Sequence, residues 1–460
     1  MQPPLNATRT LTPDTCPAEA PLAGLNAANP IRIGLLGLGV VGTGVYKLLM
    51  QDGVQGALPV TIGPVAVRNQ QKTRDIEQES SLTLADAEAI VRDPEVAIVV
   101  EVMGGLEPAF TLVKTALSQG KHVVTANKAL IATHGPELFE LARSKNVRLL
   151  FEGAVAGGIP VIMPLKLSLA ANRIEAIAGI LNGTTNYILT QMAENGLDYQ
   201  IALQQAQAKG FAEADPTSDV EAEDAAFKLS ILATMAFRQQ VMPPQIHRHG
   251  ITAITADDIS NARSLGCVIK LIALASKNAQ DALELRVQPM LVPASHPLAS
   301  ISNEYNAIWI RGHAVGDVMF SGKGAGEQPT ASAVTADILA IARDLASGNE
   351  PIPGMAMAAM PAASIQPPDL SENRYYIRVT TLDEPSVIGH MGLACGEAGV
   401  SLQSVMQQGT QPAQNNLPAT ASIMLLTHQV SHQAVRNVIA KLETLPSIVS
   451  IGSVLPVLPF

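Results

Sequence analysis

The 460-residue chain has few cysteines, few charged residues and no long apolar run. Its three cysteines, Cys16, Cys267 and Cys395, are far apart and lack metal-ligand spacing, which indicates reduced thiols in a cytoplasmic protein. No apolar stretch is long enough to cross a bilayer. The net charge of −10 argues against nucleic acid or an anionic membrane as a partner. The length allows about three domains with a sizeable core.

The first 29 residues are rich in proline, threonine, asparagine and alanine. They lack the basic start and apolar core of a signal peptide, so they are predicted to form a flexible tail.

Acidic residues are concentrated in one stretch, 206–228, although only 15% of the chain is charged. Six carboxylates precede Lys228 there: Glu213, Asp215, Asp219, Glu221, Glu223 and Asp224. A helix capped by Ser218 or Asp219 would put Glu221, Asp224 and Lys228 on one face. The run is either a solvated acidic face or a site in which carboxylates hold Lys228 as a proton donor or substrate clamp.

A dinucleotide-binding fingerprint follows a predicted strand at 31–36 and precedes a helix that extends to about residue 51. It consists of Gly37, Gly39, Val40, Val41 and Gly42, with Leu38 between the first two glycines. In this motif the first glycine permits a tight turn, the second lets pyrophosphate approach, and the third lets helix and strand pack closely. A nicotinamide dinucleotide is therefore predicted to bind here.

The second strand is predicted at 65–68 and ends in Arg68, where NAD-binding folds usually carry an acidic residue. Lys72 and Arg74 follow closely. These cations favour the 2′-phosphate of NADP(H) over NAD(H). Alternatively, these three residues are ordinary cationic loop residues that do not recognise the 2′-phosphate.

Strands and helices then alternate to about residue 151, which predicts a Rossmann-type, doubly wound parallel sheet. Helices are expected at 108–119 and 136–144, and strands at 96–102, 122–125 and 148–151. Lys128 lies just past the 122–125 strand, where open α/β sheets bind ligands. Its alternative role is that of a surface lysine at a helix start.

A second, α+β region with an open sheet is predicted beyond the glycine-rich crossing 152–160. Strands are expected at 174–181, 284–292, 307–312 and 317–320, and N-G-T-T-N follows the first of them at 182–186. The loop 321–332 lacks the G-K-[ST] of a Walker motif and leads into a helix at 327–346. His247 and His249 lack a metal-binding pattern and are interpreted as surface residues.

The proline-containing segment 347–371 is predicted to be a linker. Beyond it, 372–460 has the strand and helix order βαββαβ of a ferredoxin-like fold.

Several motifs together resemble homoserine dehydrogenase. They are A-x-x-x-G-F, D-P-x-x-D-V and D-x-x-x-K within 206–228, the segments 101–109 and 123–130, and G-A-G-x-x-P-T-A-S at 324–332. The L-D-E-P-S-V-I segment resembles an ACT domain, a small amino-acid-sensing module. Ala222 and Ser386 depart from these patterns, which usually have glycine at both positions.

The resemblance implies a division into an NADP-binding domain at 30–151, a substrate-binding and dimerisation domain at 152–326, and an ACT domain at 372–460. The helix 327–346 returns to the first domain. The implied reaction is the reversible reduction of L-aspartate 4-semialdehyde to L-homoserine, on the route to threonine, methionine and isoleucine. A homodimer or homotetramer is expected, and threonine, a downstream product, is the expected effector.

The resemblance also implies roles for single residues. Lys228 is the expected proton donor and Lys128 the second candidate. Substrate contacts are expected at Glu213, Asp219, Asp224, Gly183 and Thr184. Gly324 and Gly326 are expected near the nicotinamide end of the cofactor, and Na⁺ or K⁺ near Glu152, Val155, Gly157 and Ile159, mostly through carbonyl oxygens.

Two alternatives remain open from the sequence. One is another NAD(P)-dependent oxidoreductase that acts on a small amino acid. The other is a non-catalytic amino-acid sensor that keeps the cofactor fold for structural reasons. The C-terminal region could likewise be a dimerisation module without a ligand.

Overall fold

The computed structural model describes residues 30–54, 56, 58–71, 74, 76, 82–347, 360–412 and 418–460. The predicted tail 1–29, Lys72 and most of the predicted linker, 348–359, lie outside these described residues. No helix among them is long and apolar enough to cross a membrane.

A six-stranded parallel sheet forms the first part of the molecule. Its order is β3-β2-β1-β4-β5-β6, which is the 3-2-1-4-5-6 order of doubly wound dinucleotide-binding folds. The elements are β1 (Ile31–Leu36), α1 (Val40–Tyr46), β2 (Val60–Ala66), β3 (Thr83–Leu84), α2 (Ala87–Arg92), β4 (Val96–Glu101), α3 (Ala109–Ser118), β5 (His122–Thr125), α4 (Lys128–Ser144) and β6 (Leu149–Leu150).

Two predicted boundaries in this sheet are wrong. Strand β2 ends at Ala66, so Arg68 lies in the bend that follows it and is exposed. Helix α4 begins at Lys128, eight residues before the predicted start at Pro136. Asn127 caps it by accepting a hydrogen bond from the Leu130 N–H at 3.1 Å, a signal that outweighs the interior proline.

A six-stranded mixed sheet forms the second part, with the order β12-β11-β7-β9-β10-β8. Its elements are β7 (Ile174–Ile180), α5 (Gly183–Asn195), α6 (Tyr199–Ala208), α7 (Thr217–Val220), α8 (Glu223–Phe237), β8 (His247–Arg248), α9 (Ala256–Ser264), β9 (Cys267–Lys277), β10 (Leu283–Pro293), β11 (Tyr305–Gly312) and β12 (Gly316–Lys323). The sequence did not predict β9, because this strand is buried on both faces and shows no alternation of apolar and polar residues.

The acidic stretch forms two helices instead of one. Ala222 has a left-handed backbone (φ 65°) and separates α7 from α8. Asp224 and Lys228 share one face of α8, as predicted, but Glu221 precedes the helix and its carboxylate accepts from the Thr252 hydroxyl at 3.1 Å. The positive φ explains why glycine is the usual residue at position 222.

The long helix α10 (Glu327–Ser347) follows β12 and packs against α1, as the sequence predicted. A Cβ on Gly44 of α1 would lie 2.7 Å from the Ala331 Cβ, so the two helices touch through a glycine. Lys47 and Glu327 add an ion pair at 3.1 Å across the same contact.

The C-terminal sheet has the order β15-β16-β14-β18, which confirms the split βαβ, ferredoxin-like topology. Its elements, together with a two-stranded ribbon beside it, are β13 (Glu372–Asn373), β14 (Tyr375–Leu382), α11 (Val387–Glu397), β15 (Leu402–Gln411), β16 (Thr420–Thr427), β17 (Val430–Ser431), α12 (His432–Leu442) and β18 (Ile448–Pro456). Ser386 has φ 75°, which again accounts for the usual glycine.

The C-terminal sheet is not a loosely tethered module. Asp258 of α9 is fully buried and accepts from Arg378 Nε at 2.7 Å, the Tyr376 hydroxyl at 3.0 Å and the Ser453 hydroxyl at 2.7 Å. Leu458 donates its N–H to the Leu291 carbonyl of β10 at 2.8 Å. Removal of the C-terminal sheet would therefore leave the buried Asp258 carboxylate unpaired.

Candidate active site

Lys128 and Lys228 meet at one carboxylate, that of Asp224. Lys228 Nζ lies 2.8 Å from Asp224 Oδ2, and Lys128 Nζ lies 3.0 Å from Oδ1. Lys228 also donates to the Leu181 carbonyl at 2.8 Å, at the end of β7. The side chain of Lys228 is only 11% exposed and that of Lys128 is 41% exposed. Helix α4, which follows a strand of the first sheet, and helix α8, which belongs to the second part of the molecule, thus bring two ammonium groups together beside one buried acid.

Asn182 connects this carboxylate to Asp219. Its Nδ2 donates to Asp219 Oδ1 at 2.7 Å and to Asp224 Oδ2 at 2.9 Å, while its Oδ1 accepts from the Thr185 N–H and caps α5. The Thr184 hydroxyl lies 3.0 Å from Asp219 Oδ2 and 2.6 Å from the Phe211 carbonyl oxygen. Asn182 is not among the predicted site residues, and its only sequence signal is its place as an N-cap residue directly after a buried strand.

Burial and the nearest charges oppose each other at Asp224, whereas both raise the pKa of Asp219. Burial disfavours ionised Asp224, but the charges of Lys228 and Lys128 outweigh it and hold the pKa of Asp224 below its ordinary value. The pKa of Asp219 is raised by burial and by the nearby Asp224 charge. The Asp224 charge raises the pKa of Lys128, with smaller contributions from Asp219 and Glu213. Asp224 therefore ionises more readily than Asp219.

Glu213 is exposed on the loop between α6 and α7. Its charge makes the smallest of the contributions that raise the pKa of Lys128. Gly183 lies at the first turn of α5, where a Cβ would be 2.7 Å from the Glu304 carbonyl oxygen. Five of the seven predicted catalytic and substrate-contacting residues thus form one cluster of ion pairs and hydrogen bonds that includes Asn182: Lys128, Lys228, Asp224, Asp219 and Thr184. Gly183 adjoins Thr184 in the chain.

The glycine fingerprint has the geometry that its residues predict. Gly37 has φ 105°, and a Cβ on Gly42 would lie 2.1 Å from the Gly37 carbonyl oxygen, so both positions need glycine. A Cβ on Gly39 would meet no described atom within 4 Å, which leaves room for a pyrophosphate. Val40 is 64% exposed beside it, with Val41 next along α1, so an apolar surface is open to a ligand.

Arg68 and Arg74 flank the far side of this loop. Arg74 donates to the Asn69 carbonyl at 2.7 Å and to the Leu38 carbonyl at 3.4 Å, so its guanidinium links the fingerprint loop with the turn after β2. Arg68 is exposed on that turn. Both cations therefore lie near the end of the second strand, where the ribose of a dinucleotide binds.

Glu101, at the end of β4, organises the loops that follow β4 and β5. Its fully buried carboxylate accepts from the N–H groups of Met103 and Gly104, at 2.8 and 3.2 Å, and from the Thr125 hydroxyl at 2.6 Å. Asn127 closes the arrangement by donating to the Gly105 carbonyl at 2.6 Å. The sequence analysis quoted both segments but gave Glu101 no role, since a single acid after a strand has no distinctive pattern.

The predicted cation loop crosses between the two sheets and touches the glycine loop 324–326. A Cβ on Gly157 would lie 2.6 Å from the Gly324 carbonyl oxygen, and Gly157 has φ 52°. The Glu152 carboxylate accepts from three N–H groups, those of Val161, Ile162 and Met163, at 2.6 to 2.8 Å. Its side chain therefore anchors the following helical turn. Val155 and Ile159, the other two predicted cation contacts, are buried in the same crossing.

The chain matches two family models. Residues 37–152 match "Homoserine dehydrogenase, NAD binding domain", and residues 160–339 match "Homoserine dehydrogenase". Together the two matches cover the fingerprint, the acidic stretch and the start of the returning helix.

Relatives match over almost the whole chain. Homoserine dehydrogenase of Synechocystis sp. is 43% identical over 438 residues, which are 93% of this chain and 99% of that protein. The Mycobacterium tuberculosis enzyme is 40% identical over 434 residues, with 93% and 97% covered.

Solved structures agree with the fold. The crystal structure of a Thiobacillus denitrificans homoserine dehydrogenase superposes with a TM-score of 0.86 at 37% identity, covering 93% of this chain and 98% of that one. A hyperthermophilic archaeal homoserine dehydrogenase in complex with NADPH gives a TM-score of 0.59 at 27% identity, covering 67% and 97%. With its lysine-flanked acid and its open glycine loop on the first sheet, the chain belongs to the homoserine dehydrogenase family, a family of nicotinamide-dependent oxidoreductases.

Proposed function

We propose that Lys228 is the proton donor in the reduction of L-aspartate 4-semialdehyde to L-homoserine. The nicotinamide cofactor, when bound, supplies the hydride. The observation that carries this proposal is the Asp224 carboxylate shared by Lys228 and Lys128. Asp224 and the Leu181 carbonyl hold the Lys228 ammonium in one position, so that an N–H can point at the developing alkoxide. Lys128 is the second candidate for this role.

Substrate binding is proposed for the acids and amides around the lysines. Glu213 is exposed and suits the substrate ammonium, whereas both oxygens of Asp219 already accept hydrogen bonds from Asn182 and Thr184. Asp219 then acts by keeping Asn182 and Thr184 in place, and Asp224 acts mainly on the lysines. Gly183 is proposed to contact the substrate through its backbone, since the Glu304 carbonyl leaves no room for a side chain at this position.

Preference for NADP(H) over NAD(H) is proposed from Arg68 and Arg74. Their guanidinium groups suit a 2′-phosphate through paired, charge-assisted hydrogen bonds. Gly324 and Gly326 border the nicotinamide end of the same cleft, since their loop joins β12 to the helix α10 that packs on α1.

A monovalent cation, Na⁺ or K⁺, is proposed at the crossing 152–160. The donor set is the carbonyl oxygens of Glu152, Val155, Gly157 and Ile159, in a loop where Ala156 and Gly157 both have positive φ. Such a cation would hold the crossing in one shape beside the 324–326 loop and take no part in proton transfer.

Feedback regulation by threonine is proposed for the C-terminal sheet. This sheet is interpreted as part of an ACT domain, and the enzyme is proposed to be a homodimer or homotetramer. The turn at 383–387 and the start of α11 offer backbone N–H groups to an amino-acid carboxylate. The pathway to threonine, methionine and isoleucine and the cytoplasmic location stay predictions from the sequence.

The decisive experiment follows NADPH oxidation in the presence of aspartate semialdehyde, with and without threonine. Turnover that is lost on substitution of Lys228 supports the proposed reaction. Amino-acid binding without turnover would favour the non-catalytic sensor, and turnover with a different small amino-acid substrate would favour another oxidoreductase.

A further inference from the structure

Asn306, near the start of β11, packs between two glycines from distant parts of the chain, Gly324 and Gly183. A Cβ on Gly183 would lie 3.5 Å from Asn306 Oδ1. The Asn306 side chain is only 1% exposed, and its Oδ1 has no hydrogen-bond partner within the described part of the chain. A buried amide oxygen without a partner lowers stability, and an apolar side chain would avoid this cost. Stability alone therefore does not account for asparagine at this position.

Asn306 makes glycine necessary at position 324. A Cβ on Gly324 would lie 2.1 Å from Asn306 Nδ2, 2.2 Å from its Cγ and 2.8 Å from its Cβ, and these are the nearest atoms that it would meet. Gly324 does not have the positive φ that disfavours alanine. Alanine at position 324 is therefore excluded by the Asn306 side chain and not by the backbone conformation.

The same asparagine lies beside the backbone that holds Lys228. Strand β11 runs antiparallel to β7, and Ala307 pairs with Ile180 at the end of this ladder. The next residues along the two strands are Asn306 and Leu181. The Leu181 carbonyl accepts a hydrogen bond from the Lys228 ammonium at 2.8 Å. Asn306 thus lies between the 324–326 loop and the 181–184 turn.

We propose that Asn306 is a positioning residue for hydride transfer and that its side chain sets the separation between this loop and this turn. The inference rests on the proposed function, in which the 324–326 loop borders the nicotinamide and the 181–184 turn contacts the substrate. Reacting atoms must approach to about 3–3.5 Å, and a misplacement of about 1 Å can lower a rate by roughly 10²-fold. A side chain that fixes the separation therefore affects the rate without contacting either reactant.

The test is a double-mutant cycle in the full-length enzyme, with Asn306→Ala, Gly324→Ala and the variant that carries both substitutions. Single-turnover hydride transfer from NADPH to aspartate semialdehyde is followed by the loss of NADPH absorbance, with cofactor and substrate at saturating concentrations. Urea unfolding gives the stability of each variant. Asn373→Ala, which truncates another buried asparagine, in β13 of the C-terminal region, is the matched control.

We expect each single variant to slow hydride transfer by about tenfold or more. In Gly324→Ala the added methyl group collides with the Asn306 amide, and in Asn306→Ala the loop loses the side chain that spaces it. The double variant should be faster than either single variant, because the methyl group at position 324 then occupies part of the space that the amide leaves. Asn373→Ala should transfer hydride at the wild-type rate.

A double variant whose loss is the product of the two single losses overturns the proposal. Hydride transfer at the wild-type rate in Asn306→Ala also overturns it, and a change in the urea midpoint alone would assign Asn306 to the fold. Where a single variant fails to fold, recovery of folding and of hydride transfer in the double variant supports the proposal, and a double variant that also fails to fold contradicts it. A wild-type enzyme that does not oxidise NADPH with the semialdehyde removes the proposed reaction and this inference together.

Discussion

Lys128 Nζ lies 3.0 Å from Asp224 Oδ1, and this ion pair joins the first sheet to the second. Lys128 begins α4, after β5 of the parallel sheet, whereas Asp224 lies in the first turn of α8. The pair therefore spans the junction between the parts of the molecule that carry the two sheets. Because Lys228 pairs with the other oxygen of the same carboxylate, a change at Asp224 affects both lysines at once.

Lys228→Ala is expected to lower kcat by roughly 10²–10⁴-fold, the usual contribution of a positioned proton donor, with a smaller change in cofactor affinity. Steady-state kinetics with semialdehyde and NADPH measures both effects. Lys145→Ala, an exposed lysine at the end of α4, is the control. Near-normal turnover in Lys228→Ala would transfer the role to Lys128, whose own alanine variant then becomes the informative one.

Asp224→Asn is expected to destabilise the enzyme by about 3–5 kcal/mol, because it leaves a buried lysine without its carboxylate. Turnover should fall as well, since Lys228 loses the group that fixes its ammonium. Chemical denaturation and kinetics are both needed. Asp215→Asn, an exposed acid in the same stretch, should change stability by less than about 1 kcal/mol. Equal effects of the two variants would contradict the assigned geometry.

Arg68→Ala is expected to weaken NADPH binding by about 1–3 kcal/mol and to leave NADH binding nearly unchanged, as for a lost charged hydrogen bond to the 2′-phosphate. Arg74→Ala should weaken both cofactors, because Arg74 also donates to the Leu38 carbonyl of the fingerprint loop. Fluorescence titration with each cofactor separates the two cases. Equal losses in Arg68→Ala would mean that Arg68 supports the fold.

Asp337→Asn is expected to change the pH dependence of stability. Burial, together with the nearby charge of Glu152, raises the pKa of Asp337 from 3.8 to about 7, although Lys166 and the Glu152 N–H oppose the shift. The folded enzyme thus keeps a proton that the unfolded chain releases above about pH 4. The stabilisation from this proton is complete below pH 4 and is lost as the pH rises towards 7.

The asparagine variant has no such proton to lose. As the pH rises from 4 to 7, the unfolding free energy of the variant should therefore increase relative to that of the wild type, by an amount on the order of a few kcal/mol. Urea unfolding at several pH values measures the difference. A difference that stays constant over this range would show that Asp337 is ionised throughout.

Ser386→Gly is expected to raise the unfolding free energy by about 0.5–1 kcal/mol, because a left-handed backbone costs serine more than glycine. Ser386 is exposed and makes no side-chain capping bond, so little else is lost. Ser431→Gly is the control: this serine has φ −68° and caps α12, so its loss should destabilise slightly. A lower urea midpoint for Ser386→Gly would contradict the strain argument.

The sequence was sufficient to predict those features that depend only on residues close together in the chain. The fingerprint glycines, the Asp224–Lys228 spacing and the βαββαβ order each depend on residues close together in the chain, and the structure contains all three. Ala222 and Ser386 were noted as departures from glycine, and both positions have positive φ.

The features that could not be predicted from the sequence depend on contacts between segments that are far apart in the chain. Asn182 and Asp224 are brought together by the packing of α5 and α8, and Lys128 meets Asp224 only across two sheets. Burial on both faces removed the alternation that would have revealed β9. The contact of Asp258 with Arg378 had no sequence signal either, so the C-terminal region looked more separable than it is.

The return of α10 to the first sheet has a consequence for synthesis in the cell. A ribosome completes residues 30–151 long before it makes the helix that covers α1. Until then the apolar face that receives Ala331 and Val334 lacks the cover that α10 gives it, since both residues belong to the core of the first sheet. The nucleotide-binding half, although first in order of translation, can therefore finish folding only after the entire substrate-binding half has emerged, and chaperones have the greatest opportunity to bind it during that interval.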